Sequence, residues 1–150
     1  MDISFIAFVI FIFFSSTVHA LLEIQIEGQN GWAGKLPTRI FKNWWTRHFT
    51  EVGHITGFHI FTVLFVLVFA HFPVLFVEQW TMYHEAFVLS FVFLHFVLED
   101  FLWFVYNPAF GIKKFSRAHI WWHTHWFLGL PASYWAGVIC GIALYFFAQS

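Results

Sequence analysis

Cysteine is almost missing from this chain. The single residue, Cys140, excludes an intrachain disulfide and any cysteine-built zinc site. Charge is scarce too. Asp, Glu, Lys and Arg make up 10% of the 150 residues, where a soluble domain carries about a quarter. The net charge is -1 and no basic run occurs, so nothing in the sequence suits nucleic acid.

What is present points to a bilayer. Hydrophobic residues are 60% of the chain and aromatic residues 25%. A hydrocarbon core takes about 20 apolar residues to cross as a helix. Four stretches meet that length, at about 3–22, 53–76, 84–106 and 131–148. Within the first, the run from Ile3 to Thr17 is followed by Val18-His19-Ala20, which resembles a signal-peptidase site, but Met1-Asp2 supplies no basic n-region. It is therefore read as a retained span. Two shorter stretches, 38–52 and 116–127, combine tryptophans with basic or polar residues and predict short amphipathic helices at the membrane surface. The expected fold is an all-α integral membrane protein, one domain of four transmembrane helices plus two interfacial helices.

All seven Lys and Arg fall in two loops. Lys35, Arg39, Lys42 and Arg47 precede the second span; Lys113, Lys114 and Arg117 follow the third. With four spans these loops share one side, which the positive-inside rule makes cytoplasmic. Both termini are then expected outside. Gly137-x-x-x-Gly141 in the last span predicts close approach of a neighbouring helix.

Ten histidines are the anomaly, since histidine is the commonest metal ligand. The central stretch is Leu94-His95-Phe96-Val97-Leu98-Glu99-Asp100, inside the third span. Ionisable groups at that depth are costly and usually functional. On a helix His95 and Glu99 share a face, while Asp100 turns away by about 100°. His54 and His59 open the second span, and His119 and His123 stand four apart before the last. Glu51-x-x-His54 adds a further carboxylate and imidazole. Ligands three or four apart on facing helices build dinuclear carboxylate sites in bundles. The expected metal ligands are His54, His59, Glu99, His119 and His123, with His95 and Asp100 as ligands or as partners that orient an imidazole. His19 and His48 are expected to be structural. His71, Glu78, His84 and Glu85 form a second, outer group near water.

The His119-x-x-x-His123 spacing is similar in kind to the histidine boxes of membrane-bound di-iron desaturases and hydroxylases. The likeness is one of ligand chemistry and covers this motif alone, since those proteins also carry adjacent histidines and no His-His pair occurs here.

Mixed imidazole and carboxylate ligation suits iron or zinc better than copper(I). The functional expectation is a metal-binding membrane protein, with metal-dependent oxidation or hydrolysis of a lipid-soluble substrate as the matching chemistry. Whether it is an enzyme is left open by the sequence. Two rivals stand beside it: a haem-binding electron carrier using opposed histidines, and a non-catalytic subunit of a larger membrane complex. Expected partners are membrane lipids, other membrane subunits or a second copy of the chain.

Overall fold

The computed structural model describes residues 4–150 and is 64% helical. Met1, Asp2 and Ile3, where the first span was expected to begin, lie outside the described residues. Five α-helices follow in order: α1 (Phe5–Glu27), α2 (Trp44–Phe49), α3 (Gly57–Ala70), α4 (Met82–Tyr106) and α5 (Ala132–Gln149). Pro73 lacks the N–H that would extend α3, and the chain tightens into a 3-10 turn over Phe72–Phe76. With that turn included, four helices are long and apolar enough to cross a membrane: Phe5–Glu27, Gly57–Phe76, Met82–Tyr106 and Ala132–Gln149.

The bundle is inside-out by the standard of a water-soluble domain. Its outer surface carries Phe11, Phe14, Phe61, Phe65, Phe69, Ile139 and Phe146, while Ser16, Ser90, His95 and Glu99 are buried. A contiguous apolar exterior of this kind is what lipid or partner helices cover.

Helices α1 and α4 run parallel in one register. Ser16 meets His95 and Asn107 donates to the Gly28 carbonyl, each pair 79 residues apart. Helix α5 packs antiparallel on α4, and here the two glycines act as expected. A Cβ on Gly141 would meet Leu94 Cγ at 2.6 Å, and one on Gly137 would overlap Val97. The close approach lets Ser90 donate to the Gly141 carbonyl at 2.7 Å. Helix α3 stands apart, with only a few contacts to α4, and Gly57 is its one buried residue.

Both basic loops sit at the end of the bundle where α1 and α4 finish. They are packed structures. Ile120 and Trp122 from the second loop join Ala20, Ile24, Leu102, Trp103 and Phe104 in one core. Burying each large apolar side chain there is worth roughly 1.5–3 kcal/mol where it leaves water. The first loop holds a two-residue strand pair, β1 (Ile40–Phe41) against β2 (Ile55–Thr56); the second holds β3 (Trp126–Phe127) against β4 (Leu130–Pro131).

The expected interfacial helices are corrected. Of 38–52 only Trp44–Phe49 is helical, started by a capping box in which Asn43 and Thr46 bond each other's backbone. Of 116–127 none is helical. A turn closed by the His119 and Ile120 N–H groups on the Ser116 carbonyl is followed by a bend at Trp121 and Trp122, and a positive φ at Leu128 and Gly129 turns the chain into the β3–β4 pair.

Candidate functional site

Helix α1 runs past its apolar stretch to Glu27 before Gly28 stops it at positive φ. That extension brings two acids into the bundle. Glu23 and Glu27, one turn apart on α1, face Glu99 and Asp100 of α4 and His59 of α3 around a cavity of about 180 Å³. Trp32, Trp103 and Trp122 close it. Glu23 and Glu99 are immediate neighbours. Glu99 is only 4% exposed, and its Oε1 has no hydrogen-bond partner. Glu27 Oε1 accepts from the Ala33 backbone N–H at 2.5 Å, across a turn in which Trp32 and Ala33 both adopt positive φ. Non-glycine residues seldom take that conformation, so the turn is strained to reach the carboxylate.

No Lys or Arg lines this cavity. Among the described residues every ion pair has a histidine as its cationic member. Lys114 and Arg117, the basic residues that follow α4, do not pair with Glu99 or Asp100: Lys114 Nζ donates to the Ala109 carbonyl, and Arg117 is exposed.

Asp100 is instead held by His123. Asp100 Oδ2 accepts from His123 Nε2 at 2.9 Å and from the Tyr134 hydroxyl. His123 Nδ1 lies 3.6 Å from Glu51 Oε1, an ion-pair distance, and Glu51 Oε2 accepts from the Thr124 N–H at 2.7 Å. Burial alone would lower the His123 pKa, but the Asp100 and Glu51 carboxylates on either side raise it to about 9. Burial alone would raise that of Glu51, but His123, the Ser133 hydroxyl and the Thr124 N–H hold it at about 2. His123 thus sits between two carboxylates, with Nε2 bonded to Asp100 and Nδ1 facing Glu51.

A second polar chain leads away from the cavity. Ser15 and Ser16 hydroxyls each lie 3.2 Å from His95 Nδ1, and Ser16 also donates to the His95 carbonyl at 3.0 Å. His95 Nε2 and His19 Nδ1 are 2.9 Å apart, so one ring donates to the other. His19 Nε2 is 3.7 Å from Glu23 Oε1. His19, expected to be structural, therefore joins His95 to the acidic cavity.

The expected site residues divide. His59, Glu99 and Asp100 line the cavity, and His123 adjoins it through Asp100. His95 sits in the serine and histidine chain. His54 turns back on its own loop, with Nδ1 3.2 Å from the Val52 carbonyl, so Glu51-x-x-His54 forms no pair. His119 is exposed beside Ser116 and shares no helix face with His123, because that segment is not helical. In the outer group His71 and Trp80 both bond Glu85, His84 caps α4 through Thr81, and Glu78 is exposed. Sequence reading missed Glu23, Glu27 and Tyr134; the signal for the first two was their four-residue spacing. Among the described residues, no three His, Cys, Asp or Glu side chains are arranged to hold a metal ion as they stand.

The fold and site together define a helical bundle of membrane-spanning dimensions with a carboxylate-rich interior. Comparison with protein-family models, curated proteins and solved structures finds no match to this chain.

Proposed function

We propose that this chain is a four-span integral membrane protein whose acidic cavity binds a divalent transition metal, iron or zinc, and which uses it to oxidise or hydrolyse a lipid-soluble substrate. By the positive-inside rule both basic loops lie in the cytoplasm and both termini outside. The observation that carries the reading is Glu99. Its carboxyl is buried with an unpartnered oxygen, among three further carboxylates and no Lys or Arg. An uncompensated charge inside a membrane helix costs at least about 2.5–3.5 kcal/mol. A divalent cation satisfies several carboxylates together. Glu23, Glu27, His59 and Glu99 are the residues that would hold it, after their side chains turn inward from the positions described. Such an ion supplies a Lewis acid or an activated water. The haem reading draws less support, because His119 is exposed and His123 has both ring nitrogens directed at carboxylates.

Elemental analysis of protein purified without chelator tests this. The expected content is one or two metal ions per chain, lowered by Glu99→Gln and by Glu23→Gln and unchanged by His54→Ala. Negligible metal in the wild type, or full content in both glutamine variants, would overturn the proposal.

A further inference from the structure

Beside the acidic cavity runs a second, larger space. Helices α1 and α3 do not pack on each other; they leave a groove of about 1870 Å³, floored by α4 and open along its length. Its walls are apolar, with Phe11, Phe61, Phe65 and Phe91 prominent. Polar groups enter it at three places. Midway along, Ser15 and His19 of α1 and His95 of α4 reach it, with Glu23 one turn nearer the basic loops; at the far end it meets Trp80 and His84. At the basic-loop end, Thr38 and Arg39 form its rim. Glu23 and Thr62 border both spaces, so the groove and the acidic cavity share a wall.

Arg39 is held at that rim by the backbone. Its carbonyl accepts from Gly57 N–H at 2.7 Å, and Thr38 Oγ1 accepts from Phe58 N–H at 2.9 Å. The β1–β2 pairing of Ile40 with Thr56 fixes the same junction. The guanidinium has no carboxylate within ion-pair distance among the described residues, and it is exposed. Lys35, Lys42 and Arg47 lie in the same loop, whose one acid, Glu51, is engaged by His123. A long apolar groove ending at a guanidinium that has no carboxylate partner, its Cζ 6.0 Å from the centre of the Phe41 ring, complements one kind of molecule: an apolar chain with an anionic head.

We infer that the groove between α1 and α3 binds one lipid with a net anionic head, a phosphomonoester, its phosphate on Arg39 and its chains laid along α4. Guanidinium and phosphate match as a fork of donors against acceptor oxygens. The chain replaces water or disordered lipid against the phenylalanines. Glu23, where the two spaces meet, lies along the groove between the rim and its middle. That the lipid is the substrate rests on the metal reading above; that it binds does not.

The test uses the full chain, delipidated in detergent, titrated with phosphatidic acid or with phosphatidylcholine of the same acyl chains and read by native mass spectrometry. One phosphatidic acid per chain is expected, preferred by about tenfold, the size of one charge-assisted bond. Arg39→Gln is expected to erase the preference, while Lys113→Gln, on the other basic loop, leaves it. Val66→Trp fills the groove and should abolish binding; Ala70→Trp, at its far end, does the same should Val66→Trp not yield monodisperse protein. Equal binding of the two lipids, equal effects of Arg39→Gln and Lys113→Gln, or unchanged binding in both tryptophan variants overturns the assignment. Metal content measured on the same samples separates the two claims. Metal without lipid preference removes the lipid and leaves the metal. Selective lipid binding by protein that never carries metal sustains the groove and removes the metal reading.

Discussion

His123 and Asp100 are joined at 2.9 Å across 23 residues of chain, and that bond pins the second basic loop to the acidic edge of α4. With Glu51 on the other side of the imidazole, one protonated ring ties together both basic loops and a helix.

The clamp has a defined pH window. His123 is raised from an ordinary 6.5 to about 9, so its contribution to stability is complete below 6.5 and is lost as pH rises through about 9. Glu51 is lowered from 4.5 to about 2, so its contribution is complete above 4.5 and is lost as pH falls through about 2. His123→Ala should cost about 3 kcal/mol by stranding its partners. In detergent melts at several pH values, the gap between wild type and His123→Ala should be widest near pH 5–6 and close by pH 10. A gap that stays constant or grows toward high pH would contradict this account.

Topology gives a direct labelling experiment. Single cysteines replacing Lys42 and Lys114, in a Cys140→Ala background, should react with an impermeant reagent from the same face; one at Gln79, on the exposed α3–α4 connection, should react from the other. Reaction of Lys42→Cys and Lys114→Cys from opposite faces would end the four-span arrangement.

The α4–α5 seam should tolerate no side chain at Gly141. A Cβ there meets Leu94 Cγ, the branch point of that side chain, at 2.6 Å and Cδ2 at 2.8 Å, and lies 3.4 Å from the Ser90 carbonyl oxygen. Gly141→Val is expected to destabilise by about 1–3 kcal/mol. The neighbouring Cys140→Val, on an exposed position, should stay within about 0.5 kcal/mol of wild type. Equal melting temperatures for the two variants would show that the seam is looser than described.

Tryptophans should separate by depth. Trp44, Trp45 and Trp121 are 69%, 56% and 57% exposed, whereas Trp122 is 4% exposed inside the loop core. In single-tryptophan variants, headgroup-level quenchers should reach the first three and leave Trp122 bright. Strong quenching of Trp122 would show that the second loop is not packed.

The spans were legible because apolar length alone carries them, and the placement of both basic loops at one bundle end follows from their count. Gly137 and Gly141 were legible for the same local reason. The acidic cavity was half legible. Glu99 and Asp100 stand out against apolar neighbours, but Glu23 and Glu27 come just where the hydropathy fades and read as the start of a loop. Only the packing of α1 beside α4 gives helix α1 a reason to continue through two acids. The His119 and His123 spacing misled because a four-residue interval marks a shared face only on a helix. Ile120 and Trp122 are drawn into the core while the chain between Ser116 and Trp122 runs through a turn and a bend.

The constant offset between α1 and α4 also has a meaning in time. Ser16 precedes the histidine it bonds by 79 residues. At a synthesis rate of about 5–20 residues per second, α1 exists for roughly 4–16 seconds before α4 is made. During that interval Ser16, His19, Glu23 and Glu27 have no companion helix. In a four-span reading, that face of the first helix gains its partner only when α4 follows it into the bundle, 79 residues later.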